Sequence, residues 1–104
     1  MFEYIREKLG TGELLAQLAE EATELAHAAL KLRRVYDGTN PTPTTEEDAM
    51  ANLHEEIADV KLLLIVLDME TATKKAKHAH IMQAKIRRWA KRLGMPELEG
   101  ENEN

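Results

Sequence analysis

Residues 18–25 read LAEEATEL and residues 53–60 read LHEEIADV. Both follow one pattern: a leucine, any residue, two glutamates, two further residues, an acid and an aliphatic. On a helix, residues three and four apart are neighbours. Glu21 therefore pairs with Glu24, and Glu56 with Asp59, each pair at the border of an apolar stripe. Amphipathic helices normally put charge opposite the core, where water solvates it. Carboxylates crowded beside a core cost heavily unless cations compensate them. A single EExxE is an ordinary solvated cluster; its repetition at the same offset from two stripes is what points to a site. Carboxylate oxygens suit hard divalent ions. Magnesium fits best, because it takes few protein carboxylates and completes its shell with water and substrate phosphates; manganese could substitute. The expected metal ligands are Glu21, Glu24, Glu56 and Asp59. Glu20 and Glu55, one residue earlier in each motif, point further outward, as solvated acids or as groups that take a proton beside the metal.

The elements that must position these acids follow from periodicity. Leu14, Leu18, Ala22, Leu25, Ala29 and Leu32 recur at spacings of three and four, predicting a helix from about Gly12 to Tyr36. A shorter lead-in, Phe2 to Leu9, ends at Gly10. YDGTNPTPTT, residues 36–45, is a loop, after which Thr44 and Glu47 read as a capping box. The second helix carries Ala49, Leu53, Ile57, Val60, Leu64 and Leu67 on one face. Thr71 or Thr73 could cap the next helix, unless one bent helix runs through. The third helix places Ala79, Met82, Ile86, Trp89 and Leu93 at heptad-like spacing, so Trp89 reads as core rather than as a stacking platform; Gly94 and Pro96 stop it. No strand candidate occurs. The expected fold is all-α, an antiparallel bundle of three main helices over residues 1–94, followed by an acidic tail, 95–104, that reads as disordered. LLLIVL, residues 62–67, makes the second helix apolar around its circumference, which predicts a second copy alongside and a four-helix core.

Composition narrows the function. The 104 residues suffice for one domain, and 43% hydrophobic with 32% charged residues fits a helical globular protein. There is no cysteine, which excludes disulfides and thiolate metal sites and fits a cytoplasmic protein. LLLIVL is too short to span a membrane, and MFEYIREKLG has no apolar signal core, so neither membrane insertion nor export is expected. A net charge of −5 argues against nucleic acid as the main partner. The third helix nonetheless holds eight Lys or Arg and no acid between Lys74 and Arg92. Such cations clamp phosphoryl groups; Lys85 and then Arg88 are the substrate-binding candidates, and the others form a solvated basic face. Two other functions are open. Glu24 and His27 make a Glu-x-x-His, the unit that ferritin-like di-iron bundles use. Alternatively, the basic helix could contact nucleic acid, although helix-turn-helix spacing and interleaved aromatics are missing. His54, His78 and His80 read as surface residues.

EEATE at 20–24, followed after a proline-containing loop by EIAD at 56–59, resembles the EExxE…ExxD signature of MazG-type all-α nucleoside triphosphate pyrophosphohydrolases. The resemblance covers roughly residues 12–93. It implies magnesium-dependent hydrolysis of a nucleoside triphosphate to a monophosphate and pyrophosphate, with Glu21, Glu24, Glu56 and Asp59 as metal ligands. It also implies helical assemblies of two or four chains, a homodimer or homotetramer. Where many relatives carry an asparagine before the basic residues of the third helix, this chain has Gln83 and Ala84.

Overall fold

A computed structural model describes residues 1–39 and 43–98. It is all-α, with three helices and no strand among the described residues: α1 (Phe2–Asp37), α2 (Glu46–Val66) and α3 (Ala72–Arg92), followed by a 3-10 turn, Pro96–Leu98. The chain divides into two compact units, Met1–Met69 and the residues from Glu70 onward.

The first unit is a helical hairpin. α1 is broken where the sequence predicts, at Gly10, whose φ of 80° and ψ of 158° are not helical and lie in a region essentially reserved for glycine. The lead-in before this break is held by Arg6, whose Nε–H donates to the Val66 carbonyl over 2.7 Å. That carbonyl lies in the last turn of α2, where the helix has unsatisfied acceptors and a partial negative charge. A bond between the start of α1 and the end of α2 also makes the pair antiparallel. Gly38, at φ 70°, closes α1, and the amides of Gly38 and Thr39 return to the carbonyls of Val35 and Arg34, a Schellman ending. Across the loop the Tyr36 hydroxyl donates to Glu46 Oε1 at 2.8 Å. This bond and burial raise the Tyr36 pKa.

The cap of α2 is Thr45, not Thr44. The Thr45 hydroxyl accepts from the Asp48 amide at 3.0 Å, so the cap lies one residue later than the Thr44–Glu47 spacing predicts. Two adjacent threonines followed by three acids offer both registers, and Thr45, in extended backbone, is the one that caps. Leu14, Leu63, Val66 and Leu67 form the buried cluster of the hairpin, with Ile5 and Leu18 packed against it. Ala28, Leu32 and Ala49 are also buried. α2 ends at Val66 with Leu67 as its C-cap, and Asp68 has a φ of 63°, so the chain turns here and a continuous bent helix is not formed.

In the second unit Thr71 caps α3 by accepting from the Lys74 amide. The heptad-like spacing predicts Met82, Ile86, Trp89 and Leu93 as core, yet no residue of α3 is buried. Trp89 is 59% exposed and Leu93 76%. Amphipathic spacing tells which residues want cover, not what covers them; the 3-10 turn is too short to cover a helix of this length. That turn departs from the expected disorder at its near end. Leu98 is buried, an apolar anchor inside an otherwise acidic tail. Residues 99–104, the remainder of that tail, lie outside the described residues.

Candidate metal centre

Antiparallel pairing brings the two acidic motifs to one level of the hairpin. Leu14, Glu21 and Ala28 step along α1 one heptad at a time, and Leu63, Glu56 and Ala49 step along α2 in the opposite sense. Leu14 and Leu63 share the buried cluster, and Ala28 and Ala49 are buried. Between these layers Glu21 and Glu56 are half-buried, where an apolar pair would ordinarily pack. Glu24 and Asp59, three residues further along each helix, are exposed.

Each of these four side chains offers a carboxylate oxygen, and the four oxygens lie within 4.8 Å of one another. Glu21 Oε2 and Glu56 Oε2 are both shielded from solvent and lack any hydrogen-bond partner. Buried polar atoms are almost always paired, and leaving one unpaired costs its desolvation. Two such orphans facing one cluster are what a cation would satisfy. The electrostatics agree. Burial first, and then the charge of Glu24, raise the Glu21 pKa above 4.5; a hydrogen bond with Glu24 and the charges of Asp59 and Glu56 push the same way. Burial, again followed by Glu24, raises Glu56, with Asp59 and Glu55 adding to it. With both pKa values raised, the ion-free cluster takes up protons more readily than isolated carboxylates do.

The donor set and its dimensions suit a hard ion. Oxygens at about 2.0–2.1 Å from magnesium lie at most about 4 Å apart across the ion, whereas calcium at about 2.3–2.6 Å spreads them to about 5 Å. Four donor oxygens within 4.8 Å of one another are compatible with either ion.

Glu20 and Glu55 are exposed and stand outside the four-donor group; of the two, Glu55 contributes its charge to the raised pKa of Glu56. No histidine belongs to that group among the described residues, and His27 is exposed. Lys85 and Arg88 belong to the second unit, where they line an open cleft with Trp89, Arg92 and Leu93. Arg92 belongs to the basic run and Leu93 to the apolar stripe already legible in the sequence; what the structure adds is that they share this cleft.

Among known proteins, no family model matches this chain, and no curated protein and no solved structure matches it. Among the described residues no helix is long and apolar enough to cross a membrane.

Proposed function

We propose that this protein is a magnesium-dependent nucleoside triphosphate pyrophosphohydrolase of the MazG type, releasing a nucleoside monophosphate and pyrophosphate. The observation that carries the reading is the pair of shielded, partnerless oxygens on Glu21 and Glu56 inside a cluster of four acids. A purely structural layer of the hairpin would gain nothing from such a pair. Magnesium, or manganese in its place, would neutralise phosphate oxygens and stabilise the charge that develops as phosphorus is attacked. Exposed Glu24 and Asp59 leave the cluster open on one side, so a large polyanion can reach it.

The remaining roles fall to residues around the cluster. Glu20 and Glu55, the exposed acids next to the cluster in each motif, are the two alternatives for taking a proton from the attacking water. Lys85 and Arg88 are cations suited to a leaving pyrophosphate, whose charge grows as its bond breaks. The assembly expected with this activity is a homodimer or homotetramer, and its setting the cytoplasm. A di-iron centre needs a histidine among the ligands, and the four-donor group has none.

The test is a panel of ribo- and deoxyribonucleoside triphosphates, with dUDP, assayed for pyrophosphate and phosphate release with magnesium and with a chelator. Magnesium-dependent pyrophosphate release is expected. In water enriched in heavy oxygen, the label should enter the monophosphate. Label in pyrophosphate, or release of single phosphate from a triphosphate, would overturn this chemistry.

A further inference from the structure

The buried strip of the hairpin has two flanks of opposite character. At 3.6 residues per turn, Gln17, Glu24 and Lys31 recur at steps of seven along one flank of α1, and Leu18 and Leu25 along the other. On α2 the polar flank holds Asn52 and Asp59, and the apolar one Leu53 and Val60. Glu24 and Asp59 belong to one group of oxygens within 4.8 Å of each other, so the two polar flanks lie on the same side and form a seam. The apolar flank calls for apolar cover; the polar one calls for water, ions or a polar ligand.

This seam has a direction. Seven residues beyond Asp59 comes Val66, which is buried, and Gln17 donates its amide to Glu13 Oε1 at 3.3 Å. That end is apolar or already satisfied. Towards the other end stand Asn52 and Lys31. Asn52 precedes Glu56 by one turn, is half-buried, and has no hydrogen-bond partner among the described residues. Lys31 follows Glu24 by seven residues, about 10 Å along the helix, and helical side chains lean back towards the N-terminus, here towards the cluster. Of the six Lys or Arg in residues 1–69, Arg6 and Lys31 alone are half-buried. Arg6 is committed to the Val66 carbonyl, whereas Lys31 has neither hydrogen bond nor ion pair among the described residues. Snorkelling explains the covered stem of Lys31. It does not explain an unpartnered amide on the same seam, one turn from Glu56.

We propose that the seam is the polyphosphate groove of the candidate metal centre. One end of a phosphate chain is held at the four acids through a divalent ion. The Asn52 side-chain amide donates to a phosphate oxygen beside it, and the Lys31 ammonium takes the far phosphate. The gap between the cluster and Lys31 suits a chain of phosphates better than a single one. All of these residues lie within Met1–Met69, and the groove rests on the hydrolase reading of the cluster, whose substrate it would hold by the triphosphate.

Calorimetric titration of inorganic tripolyphosphate into the full chain at saturating magnesium tests the groove without any turnover, with orthophosphate for comparison. Tripolyphosphate is expected to bind, and orthophosphate at least about tenfold more weakly, since it forgoes a charge-assisted contact. Lys31→Gln and Asn52→Ala should each weaken tripolyphosphate binding by about tenfold or more. Lys31→Arg should restore most of the loss, and Lys61→Gln, at an exposed position, should leave binding unchanged. Every variant should keep the magnesium-dependent thermal shift of the parent. If Asn52→Ala does not fold, the two Lys31 variants decide the matter. Three results would overturn the proposal: no tripolyphosphate binding with magnesium present, orthophosphate binding as tightly, or binding that the Lys31 and Asn52 substitutions weaken no more than Lys61→Gln does. A protein that binds tripolyphosphate through Lys31 and Asn52 but hydrolyses no nucleotide keeps the groove and loses the hydrolase reading. One that hydrolyses nucleotides while both variants retain the KM of the parent keeps that reading and loses the groove.

Discussion

Replacing Glu56 by glutamine interrogates the cluster twice, once with the ion and once without it. With magnesium at a hundred times its dissociation constant, the intact site gains about 2.7 kcal/mol of linkage. For a domain of this size that corresponds to a rise in Tm of roughly 10–20 °C. Because all four oxygens already lie within 4.8 Å, little of this is spent on rearranging the backbone. Glutamine keeps the shape of the side chain but removes a charged ligand. Losing a partner that merely orients a ligand costs roughly 10–100-fold in metal affinity, so losing a ligand charge should cost at least about a hundredfold. The same magnesium concentration then only half-fills the site, and the shift falls to roughly 2–3 °C.

Without the ion the sign reverses. Burial and neighbouring acids raise the folded-state pKa of Glu56 above 4.5. Its contribution to stability is therefore present below about pH 4.5 and lost as pH rises through the folded-state value. In chelator at pH 7.5 the variant should melt above the unmodified protein, and the two should converge towards pH 4.5. Differential scanning calorimetry in both conditions, with Glu20→Gln as a control retaining the full magnesium shift, supplies the comparison. An unmodified protein that magnesium does not stabilise beyond an ionic-strength control would refute the reasoning, as would a Glu56→Gln protein shifted as far as its parent.

Three further outcomes follow from the same geometry. Magnesium binding should release more protons as pH falls towards 4.5, since Glu21 and Glu56 both have raised pKa values; calorimetry in buffers of differing ionisation enthalpy measures the number across that range, and zero throughout would contradict the shared cluster. Gly10→Ala meets no neighbouring atom within 4 Å but forces alanine to a φ of 80°, so urea unfolding should show a loss of about 1–3 kcal/mol. Thr45→Ala should cost about 1 kcal/mol in the same assay, whereas Thr44→Ala should change little.

What could be read without coordinates was whatever is local and periodic. The pairing of Glu21 with Glu24 and of Glu56 with Asp59 needs only helical geometry, and their meeting needs only that two stripes face each other. The break at Gly10 and the ends at Gly38 and Gly94 are legible because few residues tolerate positive φ. The cap at Thr45 was legible to within one residue, where adjacent threonines compete. The exposure of the α3 stripe within its own unit was not legible. That stripe predicts burial, but periodicity carries no information on whether cover comes from the same chain. Leu98 escaped notice for the opposite reason: a single leucine among acids has no period to detect, and only the 3-10 turn reveals that it is buried.

The position of the two inner glutamates also explains how a site of like charges can be held in a chain this small. The cluster formed by Leu14, Leu63, Val66 and Leu67 closes the hairpin on one side of the acidic layer. On the other side Ala28 and Ala49 are buried, and small side chains let two helices approach closely. Apolar layers on both sides hold the backbones together against the repulsion between, so the acids cannot relax by letting the helices part. They can relieve it only by taking up protons or a cation. The raised pKa values of Glu21 and Glu56 and their unpartnered oxygens are thus two signs of one constraint, imposed by neutral residues one heptad away. Substitutions in those flanking layers should therefore weaken ion binding without touching a ligand.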